Sequence, residues 1–395
     1  MRHSRKILGT LATTGLLLAI SPQAAYALDA QEVAERVRST FVTQGLTPSW
    51  SGVEGTPARM TLRNVTVSAV GQDESLPLGD IVITDATEDG EAIVAGTMSI
   101  PLFVHSADGV NVNIENMSVS GLRMTPEDSG DQLAGIAFYE SGQVGSLVVA
   151  MEGTELVSMR DLTTSATRPE DGQPLTFSGR ANSITIDLGA VDDQQTATVS
   201  QALGLETING SFSFSGSWSP EDGRLAVEQY DMAVQDAGTL GFTFDISGYT
   251  PAFLKALRDV QAKMADATEE EQAMQGMAML GLLPQLNLHG ARLRFDDDSL
   301  TQKVLAFLGA QQGVQAGDIA NQAKAVLPFA MAQLNNPQLT AEVSAAVNAF
   351  LDNPESLEIS IEPENPIPFA LVAAGAMTAP QALPQQLGLR VRANR

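Results

Sequence analysis

Between Leu46 and Thr250 apolar residues recur with period two, and one short pattern returns inside that stretch. Alternation shows at Val110, Val112 and Ile114, at Ile184, Ile186 and Leu188, and at Phe212 and Phe214. Successive side chains of a strand point to opposite faces, so this spacing predicts strands with one apolar and one polar face. Pro220-Glu221-Asp222-Gly223 and Asp236 to Gly238 supply turns between such runs. The order of strand and turn is that of an antiparallel meander. The returning pattern reads Leu62-Arg63-Asn64-Val65-Thr66-Val67, then Ile114-Glu115-Asn116-Met117-Ser118-Val119, and more weakly Met159-Arg160-Asp161-Leu162. In the first two copies the apolar parity slips at the Asn. A strand that changes parity at one residue needs a β-bulge there, and Asn tolerates left-handed backbone angles better than most residues. A repeated bulged strand is favoured over a row of ligand-binding Asn side chains at Asn64 and Asn116. The two glycosylation sequons at Asn64 and Asn116 fall out of the same strand pattern.

Helices flank this region. Asp29 with Glu32 forms a capping box, Ala30, Val33, Ala34, Val37 and Phe41 share a face, and Gly45 ends the helix. After Pro251 the chain turns mainly helical, with an apolar stripe of Phe253, Leu254, Leu257, Val260 and Met264. A strand with slipped parity, and so a bulge near Gly290, spans Leu286 to Phe295. Ser299 with Gln302 is expected to cap the next helix. Helices follow from about Asp318 to Leu334, bent at Pro328, and from Pro337 to Leu351. Leu357 to Ile361 and Leu389 to Val391 alternate as strands, with short helices over Phe369 to Met377 and Ala379 to Leu383. The expected fold class is α+β: an elongated, twisted antiparallel sheet with repeated strands, an N-terminal helix, and C-terminal helices packed on one face. Its expected parts are a leader at 1–27, a β-rich repeat region with its helix at 28–250, and a helical region with returning strands at 251–395.

The leader reading rests on Arg2, Arg5 and Lys6 before an apolar run from Ile7 to Ile20, then Ala25-Tyr26-Ala27, with cleavage before Leu28. The run is short for a bilayer span, which needs about 20 residues. The expectation is export to the periplasm with no stable membrane span after cleavage.

Composition removes several chemistries. There is no cysteine, so disulfides, thiolate metal sites and thiol catalysis are excluded. The formal charge is -25, with 22 Lys and Arg against 47 Asp and Glu. That balance argues against nucleic acid, whose binding needs clustered cations. Beyond residue 27 the histidines are His105 and His289, with no second ligand at metal spacing. No nucleophile elbow, Ser-x-x-Lys, Gly-Lys pair or dinucleotide fingerprint occurs. No catalytic, metal or cofactor residue is therefore assigned and no cofactor is expected. Asp296-Asp297-Asp298 reads as acids before a helix N-terminus in preference to a calcium site. Met274-Gln275-Gly276-Met277-Ala278-Met279 has thioether spacing used for copper, yet adjoining leucines favour packing. The reading retained is an adaptable groove for an apolar chain, with Met264, Met274, Met277, Met279 and Leu280 as its candidate lining.

Several residues carry a family resemblance: the two repeated Asn strands, Gly290-Ala291-Arg292-Leu293-Arg294-Phe295-Asp296-Asp297-Asp298, Leu334-Asn335-Asn336-Pro337, and Asp352-Asn353-Pro354-Glu355-Ser356-Leu357. Together they resemble a group of uncharacterised secreted alphaproteobacterial proteins and, more distantly, YdgA-type and AsmA-like envelope proteins. The resemblance covers roughly Asn287 to the end and, by architecture alone, the repeats. It implies an envelope protein, lipid-handling and without enzymatic activity, and transfers no functional residue. The leading expectation is a non-enzymatic protein binding a lipid or apolar ligand between sheet and helices. The alternatives are a protein-binding scaffold of the envelope and a hydrolase with an unrecognised carboxylate pair.

Overall fold

The structure, a computed structural model, describes residues 28–69, 75–131, 133–168, 173–191, 193–265, 269–332 and 335–395. The side chains at 262, 264–265, 269–273 and 275 are also outside the description, as is the expected leader at 1–27. Helix α1 (Ala30–Thr43) is followed by β1 (Leu46–Ser49), β2 (Gly52–Thr56), β3 (Arg59–Ala69), β4 (Ser75–Thr84), β5 (Thr87–Asp89), β6 (Ala92–Ala107) and β7 (Val110–Met124). Next come β8 (Ala137–Phe138), β9 (Ser141–Met151), β10 (Thr154–Thr167), β11 (Leu175–Asp187), α2 (Gln194–Leu203), β12 (Thr207–Ser219), β13 (Arg224–Val234) and β14 (Gly238–Ser247). Helices α3 (Pro251–Ala265) and α4 (Glu269–Leu282) precede β15 (Asn287–Asp297). The chain ends with α5 (Leu300–Gln312), α6 (Ala316–Ala332), α7 (Pro337–Asp352), β16 (Ser356–Ile361), β17 (Ile367–Pro368), α8 (Phe369–Thr378), α9 (Leu383–Gln386) and β18 (Leu389–Ala393).

All 18 strands join one antiparallel sheet that does not close. Its long strands pair in the order β3, β4, β6, β7, β9, β10, β11, β12, β13, β14, β15, β16, β18, with the short strands attached along the way. At about 4.8 Å per step this is a sheet roughly 60 Å wide. The helical C-terminal region therefore adds four strands to the same sheet.

Left-handed residues lie where the parity slips: Asn64, Asn116 and Asp161 have φ of 49°, 54° and 53°. Only the first is a break in pairing, where β3 against β4 is irregular between Leu62 and Val65; β7 and β10 keep their register across Asn116 and Asp161, because their partners slip at the same level. The first bulge is clamped: the Asn64 backbone N–H donates to Asp80 Oδ1 at 2.9 Å, and Arg63 Nη1 donates to Asp80 Oδ2. In β15, Gly290 pairs with Asp245 and Leu288 with Ile246, which leaves His289 as the extra residue.

Two details differ from expectation. The period-two region contains a helix, α2, because Asp193 accepts from the Thr196 N–H at its start and Gly204 ends it with φ 64°. Those cap residues stand in the sequence, but the strands on either side mask them. At α5 Ser299 holds the N-cap position as expected, but its hydroxyl donates to the Asp236 carbonyl and makes no capping hydrogen bond. Asp297 caps instead, accepting from both the backbone N–H and the hydroxyl of Thr301.

The main core lies at the N-terminal end of the sheet. Val33, Ala34 and Val37 of α1 are buried against Met60, Leu62, Ile81, Ile83, Ala95 and Met124. A second, smaller cluster joins Leu133, Phe138 and Trp218. At the other edge α7 lies along β18, where Glu342 accepts from the Val391 backbone N–H at 3.0 Å. That contact satisfies an edge-strand donor and blocks pairing with another chain.

Candidate functional site: an open apolar sheet face beside a charged cleft

Residues paired across an antiparallel ladder share a face. One such row runs through nine strands: Met60, Ile83, Met98, Val119, Gly142, Thr164, Gly179, Phe214 and Tyr230. Each residue of the row is the direct partner of the next, so the face buried under α1 is the same face that reaches β13. Two rows continue it: Phe212, Met232, Leu240, Phe295 and Leu357, then Phe242, Leu293, Ile359 and Val391. The reverse face of β12 carries Ser211, Ser213, Ser215 and Ser217.

The cover over this apolar face is uneven. A helix of the length of α1 extends about 21 Å, enough for four or five strands. Beyond its reach Tyr230, Met232, Leu240, Phe242, Leu293 and Ile359 are each between 36% and 43% exposed. Single exposed apolar side chains are ordinary, whereas these six lie on four adjacent strands and form one contiguous patch.

Aromatic rings link this patch to a pocket. Phe177 lies 6.3 Å from Phe214, Phe214 lies 5.5 Å from Phe212, and Phe212 meets Tyr230 edge-on at 5.1 Å. Phe177 also lines an apolar pocket of about 320 Å³ with Leu175, Trp218, Leu225, Tyr249 and Leu254. Trp218 Nε1 donates to the Tyr249 carbonyl at 2.8 Å, which fixes the indole as a wall. Gln44, Ile136 and Arg258 are common to this pocket and to a larger cleft of about 840 Å³. The cleft lies between the end of α1, the segment around Gly135, and α3, and its charged lining is Glu127, Lys255, Arg258 and Asp259. Lys255 pairs with Glu127; that hydrogen bond holds the Glu127 carboxyl below its ordinary pKa and raises that of Lys255. Arg258 Nη1 donates to the Thr43 carbonyl at 2.8 Å, tying α3 to the end of α1.

The candidate groove residues lie elsewhere. Met274, Met277 and Leu280 on α4 are 59%, 74% and 61% exposed, and Met279 is half-buried. None of them lines the pocket or the cleft. Met264 lies on α3, and its side chain is outside the described residues. The larger apolar surface lies on the strands, and its signal in the sequence was the alternation of Phe212 with Phe214 and of Leu240, Phe242 and Phe244. His289 Nε2 lies 2.9 Å from Ser247 Oγ, and His105 stacks on Phe103. Among the described residues no group of three or more His, Asp or Glu is placed to hold a metal ion. Among them, too, no helix is long and apolar enough to cross a membrane.

A family model described as "Uncharacterized protein" matches residues 231–394. The matched segment begins within β13 and takes in every element from β14 to β18, including the more exposed half of the apolar face. No curated protein matches the chain.

Proposed function

We propose that this is a non-enzymatic, exported periplasmic protein that binds a lipid or other apolar ligand along the uncovered face of its sheet. The observation that carries the reading is the patch from Phe212 to Ile359, apolar across five strands and over a third exposed at six large side chains. Apolar area left in water forgoes about 25 cal/mol per Å², and a bound acyl chain recovers it without any directional polar contact. The basic start and apolar run within residues 1–27 support export. The resemblance to secreted alphaproteobacterial proteins, and more remotely to YdgA-type and AsmA-like ones, supports a place in the envelope.

The alternatives have less behind them. A scaffold using the repeated strands as an edge would need them unpaired, but β3, β7 and β10 are each paired on both sides. A hydrolytic general acid would need a raised carboxyl pKa. The described carboxyls that shift, at Asp80, Asp89, Glu127 and Asp193, all shift down.

Native mass spectrometry of the protein purified from its own periplasm tests the reading. The expected result is a population carrying a lipid-sized adduct that organic extraction removes. A mass that is always ligand-free, with no uptake of an added long-chain alcohol, would sink it.

A further inference from the structure

We infer that Arg258 is the head-group site for a single-chain anionic amphiphile, a long-chain carboxylate, whose tail lies in the Trp218 pocket and continues onto the open face. This deepens the lipid-binding reading above and rests on it. The pocket wall is mainly apolar; of its polar side chains, Gln44 and the charged Arg258 also line the cleft, and Tyr249 does not. Charge therefore sits where pocket and cleft meet. With its indole N–H already donated to the Tyr249 carbonyl, Trp218 offers the pocket no free donor, and with Leu175, Phe177, Leu225 and Leu254 around it the wall favours hydrocarbon.

The charged groups of the cleft are not equivalent. Lys255 and Glu127 neutralise one another. Asp259 follows Arg258 on α3, and among the described residues no carboxylate stands within ion-pair distance of Arg258. Its described hydrogen bond is the one to the Thr43 carbonyl, whereas a guanidinium carries five N–H donors in a fork that fits a carboxylate. Glu127, already paired with Lys255, acts on Arg258 through space and not by an ion-pair contact. A half-buried cation with no direct ion pair among the described residues, at the junction of an apolar pocket and an open cleft, is complementary to an anion on a hydrocarbon chain. Chain length is not limited by the 320 Å³ of the pocket, because the ring series from Phe177 through Phe214 and Phe212 to Tyr230 leads out along the sheet.

The test compares dodecanoate with dodecanol, equal in tail and different in charge, by calorimetric titration at pH 7.5 with the full-length protein. The expected result is dodecanoate bound about tenfold more tightly than dodecanol, in line with a charge-assisted hydrogen bond. Arg258→Gln should bring dodecanoate down to the affinity the same variant shows for dodecanol, while Arg258→Lys keeps much of the preference. Equal binding of the two ligands by the unaltered protein overturns the inference and needs no variant. So does a preference that survives Arg258→Gln. Binding of dodecanol without head-group discrimination would leave the lipid-binding reading standing, whereas binding of neither ligand removes both.

Discussion

The ring of Phe214 lies directly over Gly179 of the neighbouring strand. A Cβ at Gly179 would come within 2.6 Å of the ring's Cζ, and nearer still to its edge. Glycine is what lets the ring lie flat there and reach Phe177 on one side and Phe212 on the other. Gly179→Ala should cost about 1–3 kcal/mol through displaced packing. It should also weaken apolar ligand binding, because the ring series is broken at its second member. Chemical denaturation and dye titration on one sample measure both, and an unchanged affinity would detach this ring series from the binding path.

Phe242 separates binding from stability more cleanly. It is 38% exposed on the open face, and its ring lies 5.6 Å from Phe244. Phe242→Asp should lower stability by only about 1 kcal/mol, as expected for a partly exposed strand position. Placing a charge on the path of the chain should nevertheless cut affinity for dodecanol at least tenfold, because charged groups are costly to desolvate. Retained dodecanol binding would move the site off this face.

At Leu62 the balance is reversed. The side chain is fully buried beneath α1, so Leu62→Ala should cost about 3 kcal/mol, within the 2–5 kcal/mol usual for such cavities. Two residues on, Asn64 is left-handed at the bulge. Asn64→Gly should be nearly neutral, whereas Asn64→Val should be destabilising, because a β-branched residue resists φ of 49°. Urea midpoints for the three variants check the order.

Asp80 gives the fold an acid limit. Its carboxyl is held below the usual carboxylate range, first by the backbone N–H of Asn64 and then by Arg63. A folded pKa below the unfolded one means that this stabilisation is complete above the unfolded value, near about 4, and is lost as pH falls through the lower folded value. Asp80→Asn should therefore lower the urea midpoint at pH 6 and flatten its decline between pH 5 and pH 2. An unaltered decline would show that other carboxyls set the acid limit.

Much of this architecture was legible in the amino-acid order. The Asp29 cap, the Val33, Ala34 and Val37 stripe, the parity slips at Asn64 and Asn116, and the alternation of Leu240, Phe242 and Phe244 are local patterns. Backbone geometry and side-chain periodicity decide them within a few residues. The site was less legible. The Met-rich run of α4 has a composition suited to an apolar groove, while Met277 is 74% exposed and does not line the Trp218 pocket. Composition says what a side chain prefers to touch and nothing about what the fold brings to it.

By itself, the sequence determined that each strand would have one apolar face and that its parity would slip at Asn64 and Asn116, because both follow from period and backbone preference. It also confined lysine to the region beyond Lys255, leaving residues 28–250 with none. Tertiary structure alone decided that those faces would join into one row from Met60 to Tyr230, and that α1 would cover only one end. The physical reason is reach: pairing extends the sheet by 4.8 Å with every strand, while one helix of 14 residues spans only a few of them. The same long-range closure sets Arg258 against Thr43, 215 residues away in the chain, at the junction of pocket and cleft.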